Sequence, residues 1–428
     1  MSGALGFWLL ADAASTLGVI RRDPASIAVL ARERLSRLLF NAARNNPFYS
    51  RRLQAAGIEW ADPIIQWEPY RALAALTPVS KGELRRAGSR AFDGGELRDD
   101  WYSSTSSGST GEPFRVYYEP RAWATLKYLV KVRARAACGV RPTDRVALLD
   151  ATAPTKPVTM SSWTQRWARI SVLQPASTVA GELDAFAPDV IYGLPSALLE
   201  AGRNLSSQGE RLKVRAVFTS GELLQRATRE NLSSTFRAPV YDVYGTSETK
   251  EIAWECPAGN RHLNSDVVHM EAVDESGRSL PTGVEGDLVA TLLVNHAMPL
   301  LRYRTGDRGS LLTDTCSCGC PMPLLGVVTG RTADILVLRD GLRISPYALT
   351  CAIERIPGVL RYQVSQLDLA RVRVRAILAS AADPTAVTAQ VRTALRYDVA
   401  PFLDADVEFV DRLPTGPRAK FRVVEALA

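Results

Sequence analysis

Between residues 140 and 244 short β-branched runs alternate with stretches of helical spacing, and no other feature narrows the fold as much. Arg145–Leu149, Asp189–Tyr192, Val214–Phe218 and Val240–Tyr244 read as strands, with a helix over Gln225–Phe236 before the last of them. Strands alternating with helices imply βαβ units and a largely parallel sheet, because parallel neighbours need a long crossover between them. The first hundred residues read mostly as helix. Ile27, Leu30, Leu35, Leu38 and Leu39 recur at helical spacing with Arg32, Arg34 and Arg37 between them, and Pro47, Gly57 and Pro63 punctuate. Asp287–Leu293 and Gly309–Leu312 look like antiparallel strands. The last hundred residues offer a strand (Ile335–Leu338), a helix (Pro346–Arg355), a strand (Val372–Leu378), a helix (Thr385–Tyr397) and a final strand (Val407–Val410). The expectation is a large α/β unit followed by a smaller α+β one.

Composition excludes collagen, coiled coil and disorder: 46% of residues are hydrophobic, 23% charged, and mean hydropathy is near zero. No run reaches the roughly 18 uncharged apolar residues of a membrane helix. The nearest, Gly3–Ile20, contains Asp12, and its basic residues Arg21 and Arg22 come after it. It reads as a docking helix rather than a cleaved signal, and the chain as cytoplasmic with no membrane partner. The net charge of +7 invites a nucleic-acid reading, yet 45 of the 52 basic residues are Arg, scattered without like-charge blocks or interleaved aromatics. That pattern specifies no nucleic-acid partner.

Ser103-Ser-Thr-Ser-Ser-Gly-Ser-Thr-Gly-Glu-Pro113 sets two glycines three apart among hydroxyls, a backbone able to wrap an anion with its N–H groups. It is not a Walker loop, since no Gly-Lys-Ser/Thr follows. Thr219-Ser-Gly-Glu222 and Tyr244-Gly-Thr-Ser-Glu248 come next, each after a strand. Tyr303-Arg-Thr-Gly-Asp307, Gly330-Arg331, Gly341 and Lys420 complete the series. In this order the motifs resemble those of adenylate-forming enzymes of the acyl-CoA synthetase superfamily. The branch is that of the phenylacetate–coenzyme A ligases and their capsule-biosynthesis relatives. The resemblance runs from Phe48-Tyr49 to Lys420.

That resemblance implies an α/β fold with a large N-terminal adenylation domain (1–332), built on parallel and antiparallel sheet, and a small mobile C-terminal α+β domain (333–428). Ser106, Ser107, Gly108, Ser109, Thr110 and Gly111 match the loop that holds the β,γ-phosphates of ATP. Gly221 and Glu222 match the segment beside adenine, and Tyr244 the aromatic that stacks on it. Gly245 and Thr246 fall alongside the α-phosphate, Glu248 at the magnesium-binding carboxylate, and Asp307 at the acid that grips the ribose hydroxyls. Arg331 and Arg343 match arginines near the phosphates, and Gly341 lines the thiol tunnel. Lys420, the only lysine after Lys250, matches the lysine that bridges carboxylate and α-phosphate, with Arg418 the fallback. The residue types suit these tasks: magnesium takes hard oxygen ligands, and developing negative charge takes cations. The catalytic set is Lys420, Thr246, Glu248 and Arg331. Two departures stand out. Glu112-Pro113-Phe114 lacks the lysine many relatives carry there, and Ala333 takes the place of the hinge acid.

The implied activity is ATP-dependent activation of a carboxylic acid as its acyl-adenylate, with pyrophosphate released. The acyl group then passes to a thiol, either coenzyme A or the phosphopantetheine of an acyl-carrier protein. Transfer to an amine or another non-thiol acceptor is the alternative. Tyr128, Trp163, Tyr192, Gly193 and Pro195 are candidate walls of the acid pocket, and Tyr and Trp there would favour an aryl or heteroaryl acid. The oligomeric state is left open between monomer and homodimer.

Cys316-Ser-Cys-Gly-Cys320 holds three of the six cysteines, and Cys256 precedes His262 by six. In a cytosolic protein such clustering reads as metal before disulfide. Cys256, His262, Cys316 and Cys318 would form a four-ligand structural zinc site, with Cys320 as an alternate ligand. The same branch carries a similar Cys/His arrangement. Cys138 and Cys351 read as core thiols. A zinc-containing nucleic-acid-binding protein is a remote alternative that leaves the Ser/Gly loop and Tyr244–Glu248 unexplained. Hydrolase motifs of the Gly-x-Ser-x-Gly and His-Glu-x-x-His types are absent.

Overall fold

The computed structural model describes residues 14–105, 114–150, 158–161, 166–207, 212–331, 334–344, 346–414 and 421–427. They form two compact units, Met1–Gly139 with Tyr244–Val328, and Val140–Val243 with Thr329–Ala428.

The first unit opens on the long helix Pro24–Asn45. Asp23 caps it by accepting from the Ser26 amide, and Pro24 occupies the first turn, where its missing N–H costs nothing. Ile27, Ala31, Leu35, Leu38, Leu39 and Ala42 bury one stripe of it. Val19 packs beside Ile27 and Met322, so the part of the expected N-terminal helix that is described does dock. The helix Lys81–Ala87 begins in a capping box between Ser80 and Glu83, which fixes where Lys81 stands. The sheet strands run side by side in the order Val268–Val273, Gly286–Leu292, Tyr303–Leu312, Leu324–Arg331, Arg261–Leu263, Lys250–Glu255. The Met270↔Ala290, Ala290↔Tyr303 and His262↔Trp254 registers are antiparallel, as the runs near 290 and 310 predict.

In the second unit Val146–Asp150 pairs in parallel with Arg166–Ser171 and Val190–Gly193. Ala216–Ser220 and then Val240–Thr246 extend the same parallel order. Helices Ala176–Phe186, Pro195–Ser207 and Arg226–Phe236 make crossovers, and Leu183, Leu198 and Leu232 bury against Ala147, Ile191 and Val217. The parallel sheet expected from the alternation is therefore present.

The same unit contains a four-stranded sheet in the order Asp404–Phe409, Arg371–Leu378, Val359–Gln366, Val424–Glu425. Leu349, Ile353, Val364, Val374 and Val391 form a core of its own. Val359–Gln366 escapes the hydropathy pattern because Arg361 and Gln363 are buried, so polar letters stand at core positions. Among the described residues no helix is long and apolar enough to cross a membrane.

Candidate active site and metal centre

Strand Val240–Thr246 delivers Tyr244, Gly245 and Thr246 in succession. The Tyr244 hydroxyl donates to Asp307 Oδ2 at 2.9 Å. Asp307 follows Gly306, whose φ of +83° makes the bend, and its amide donates to Thr305 Oγ1 at 3.2 Å. The stacking aromatic and the ribose acid named from the motifs thus touch. Gly245 has no room for a side chain: a Cβ would fall on the Lys250 carbonyl oxygen and 2.9 Å from its carbon. Thr246 Oγ1 accepts from the amides of Glu248 (3.2 Å) and Thr249 (3.1 Å), closing the turn that presents Glu248.

Glu248 is buried. Its Oε1 accepts from the Tyr303 hydroxyl at 3.3 Å and lies 3.6 Å from Lys81 Nζ, while its carbonyl accepts from the Tyr118 hydroxyl at 2.6 Å. Burial first, and then the Glu248 charge, hold both phenols above their ordinary range, so they remain donors. A carboxylate that takes the Tyr303 hydroxyl, on a backbone tied by Tyr118, is a hard oxygen ligand of the kind magnesium takes alongside phosphates and water.

Sequence reasoning passed over the surroundings of Lys250. Its backbone is left-handed (φ +64°), and its Nζ donates to the Ser247 carbonyl at 2.7 Å, over the rings of Tyr118 (5.0 Å) and Trp123 (5.2 Å). Lys127 lies over Trp123 at 4.4 Å, and Lys131 pairs with Glu251 at 3.1 Å. Burial, then Lys127 and Lys131, bring the Lys250 ammonium down to about 7 against the pull of Glu248. The signal was available as a bias, since Lys is rare in a chain that otherwise uses Arg.

In the second unit Gly221 sits at φ +86° and Glu222 is tied in three ways. Its carboxylate accepts from the Ser196 amide (3.0 Å), the Ser196 hydroxyl (2.8 Å) and the Phe421 amide (2.6 Å). Burial still keeps this carboxyl above the usual carboxylate range. Arg361 lies 4.9 Å over the Phe421 ring and 3.4 Å from Glu200. Phe421 immediately follows Lys420, and no motif marks Arg361.

The candidate acid-pocket residues divide. Tyr192 stacks on Phe218 (6.4 Å, 18°), Gly193 lies against Leu149, where a Cβ would stand 2.9 Å from the Leu149 Cβ, and Pro195 opens a helix. Tyr128, in the first unit, is exposed on the π-helical turn Thr125–Leu129. Gly341 has φ +74° with open space around it, Arg343 is exposed, and Arg331 ends its strand. Ser106–Gly111, Trp163, Ala333, Arg418 and Lys420 lie outside the described residues.

The ligand atoms of Cys256, His262, Cys316 and Cys318 all lie within 4.8 Å of one another. Cys256 Sγ and Cys316 Sγ are 3.6 Å apart, near the ~3.8 Å that tetrahedral zinc–thiolate bonds would set. His262 Nε2 is 3.2 Å from Cys318 Sγ, and its Nδ1 is 3.0 Å from the Met322 carbonyl, the second contact that orients a ligating imidazole. Asn260 and the Cys320 amide donate to Cys316 and Cys318 sulfurs (3.2 and 3.4 Å). Burial opposes ionisation of Cys316, but hydrogen bonds from the Cys318 amide, Asn260 and the neighbouring thiols outweigh it and bring that thiol to about 6. Cys320, the alternate ligand, is outside the set of four and packs beside Val19, Ile27 and Met322. Cys138 is buried and donates to the Glu255 carbonyl at 3.4 Å, as a core thiol would.

No family model matches the chain. Its fold is that of the adenylate-forming coenzyme A ligases. The 2-hydroxyisobutyryl-CoA ligase structure in the postadenylation state aligns with a TM-score of 0.75 at 19% identity, over 93% of this chain and 88% of that one. In sequence the chain is phenylacetate–coenzyme A ligase-like. It is 29% identical over 383 residues to the phenylacetate–coenzyme A ligase of Thermus thermophilus, covering 81% of each protein. The protein CapK of Staphylococcus aureus is 22% identical over 252 residues, 56% of this chain and 53% of that protein. The recognition made from the motifs, superfamily and branch alike, is borne out by these likenesses.

Proposed function

We propose that this chain is an AMP-forming acid–thiol ligase. A carboxylate oxygen of the substrate bonds to the α-phosphorus of ATP and pyrophosphate leaves. A thiol then attacks the acyl carbonyl and AMP leaves. The observation that carries this is the Tyr244–Asp307 hydrogen bond beside the Thr246–Glu248 turn. It brings together an aromatic face for the purine, an oriented acid for the ribose and a buried carboxylate for magnesium, from the end of strand Val240–Thr246, the turn after it and the strand Tyr303–Leu312. Likeness to relatives named phenylacetate–coenzyme A ligases supports the same reaction.

Adenylation needs positioning and charge neutralisation more than proton transfer. Ser106–Gly111 would hold the β,γ-phosphates, Gly221 and Glu222 the adenine side, and Arg331, Arg343 and Lys420 the developing charge. Glu248 would bind magnesium, which neutralises phosphate charge when present. Residues 333–428 would act as a mobile domain, supported by their separate core, with Gly341 beside the incoming pantetheine. Cys256, His262, Cys316 and Cys318 would hold a structural zinc, with no position left for water. The substrate is a small aryl or heteroaryl acid, the acceptor coenzyme A or an acyl-carrier protein, and the compartment the cytoplasm.

The test is acid-dependent exchange of labelled pyrophosphate into ATP across arylacetic, benzoic and short aliphatic acids, followed by mass spectrometry of thioester products. Exchange with at least one acid is expected. Its absence from the whole panel would overturn the reading.

A further inference from the structure

The second unit contains two cores, one with Leu183, Leu198 and Val217 and one with Leu349, Val364 and Val374. Charged and polar groups tie them together. Arg361 Nη1 lies 3.4 Å from Glu200 Oε1, the Arg226 amide donates to Glu354 Oε1 at 3.1 Å, and the Phe421 amide donates to Glu222 Oε1 at 2.6 Å. Polar interfaces of this kind suit parts that separate and dock again.

The third tie matters most because of the peptide that makes it. Its N–H belongs to the bond joining Lys420 to Phe421. From there on the chain is also held by strand Val359–Gln366. The Arg361 guanidinium lies 4.9 Å over the Phe421 ring, Gln363 Nε2 donates to the Arg422 carbonyl at 3.1 Å, and the Val364 amide donates to the Val423 carbonyl at 2.8 Å. Arg361 and Gln363, the buried polar residues of that strand, thus act on the segment that follows the lysine. Consecutive Cα atoms are ~3.8 Å apart, so an anchor at Phe421 acts one residue from Lys420.

On the other side the Glu222 carboxylate is fully engaged. Oε1 takes the Ser196 hydroxyl and the Phe421 amide, and Oε2 takes the Ser196 amide. Both lone pairs of Oε1 are therefore used. Burial raises this carboxyl, and a buried carboxylate persists only where donors meet it.

We propose that Glu222 and Arg361 are positioning residues that seat the Lys420–Phe421 peptide for adenylation. The proposal rests on the ligase reading, with Lys420 as its charge-neutralising lysine, and gives Glu222 a task apart from the adenine.

The test is pyrophosphate exchange with the fastest acid of the arylacetic, benzoic and short aliphatic panel, alongside ATP binding by calorimetry. Glu222→Ala is expected to lower kcat roughly tenfold or more with the Kd for ATP within about twofold, since a slightly misplaced group loses rate rather than affinity. Glu222→Gln keeps an acceptor for the Phe421 amide, and its kcat should stay within about threefold of wild type. Arg361→Met, which removes the cation from the other side of Phe421, should lower kcat about threefold or more. In a Lys420→Ala background neither Glu222→Ala nor Arg361→Met should lower exchange further, because a residue that acts through Lys420 has nothing left to position. Deuterium uptake at the Phe421 amide, read by fragmentation mass spectrometry, should quicken about tenfold or more in Glu222→Ala and not in Glu222→Gln. A loss confined to ATP affinity, an undiminished loss in the Lys420→Ala background, or unchanged uptake in Glu222→Ala would overturn the proposal while leaving the ligase reading standing. No exchange with any acid would remove that reading and the positioning role with it.

Discussion

Gly245→Ala should cost both stability and activity, and the size of each follows from its surroundings. A Cβ at Gly245 meets the Lys250 carbonyl oxygen, the Lys250 carbon at 2.9 Å and the Glu251 Cα at 3.0 Å. All three are backbone atoms of the adjoining strand, so no side chain can rotate away. Overpacking of this kind costs ~1–3 kcal/mol, and a backbone obstacle places it near the upper end. For a unit of a few hundred residues each kcal/mol lowers the melting temperature by about 2–4 °C, so a fall of roughly 5–10 °C is expected. The displaced strand also carries Tyr244 toward Asp307 and the turn that presents Glu248. A shift near 1 Å at reacting groups can cost ~10²-fold, which sets the expected loss in pyrophosphate-exchange kcat/KM. Gly181→Ala is the control: nothing lies within 4 Å of its Cβ position inside the helix Ala176–Phe186, so stability should hold or rise. Scanning calorimetry with the exchange assay reads both effects. A Gly245→Ala protein that melts within 1 °C of wild type and exchanges within about twofold would refute the packing argument.

Tyr244→Phe removes a hydrogen bond to a carboxylate, so KM for ATP should rise about tenfold with little change in melting temperature; an unchanged KM would detach Tyr244 from the orientation of Asp307. Freshly prepared protein should contain one zinc per chain, and Cys316→Ser should lower both metal content and melting temperature; less than half an equivalent in wild type would remove the zinc assignment. Glu222 has a folded-state value raised by burial, so the native state holds its proton more tightly than the unfolded chain. Its contribution is therefore fully favourable below the ordinary carboxylate value and is lost as pH rises through the raised one. Melting temperatures of wild type and Glu222→Gln should accordingly diverge in favour of the variant from pH 4 to pH 7, and parallel curves would contradict this.

What could be read from the sequence was what short stretches of chain decide. Strand and helix alternation over 140–244 is a local period, and it forecast the parallel registers of Val146–Asp150, Val190–Gly193 and Ala216–Ser220. The motifs from the Ser/Gly loop to Lys420 could be recognised because turns that approach phosphates need glycine and hydroxyl residues side by side. The cysteine spacing marked two local pairs, Cys256 with His262 and Cys316 with Cys318, while their meeting across the chain is the work of the fold.

Long-range burial was beyond that reach. Val359–Gln366 hid because Arg361 and Gln363 point into the interior, where tertiary partners reverse the rule that polar letters face water. Nothing local announced that Tyr244 would donate to Asp307, or that Glu222 would take the Phe421 amide 199 residues away. Lys127 and Lys250 are ordinary lysines in sequence. Only the packing of a π-helical turn against the turn after Tyr244 sets them over one indole ring. The sequence alone determined the order of elements and the chemistry available at each motif, since both depend on neighbours a few residues apart. The tertiary structure decided which charges share a site, because the distances that govern electrostatics and hydrogen bonding come into being when remote segments pack.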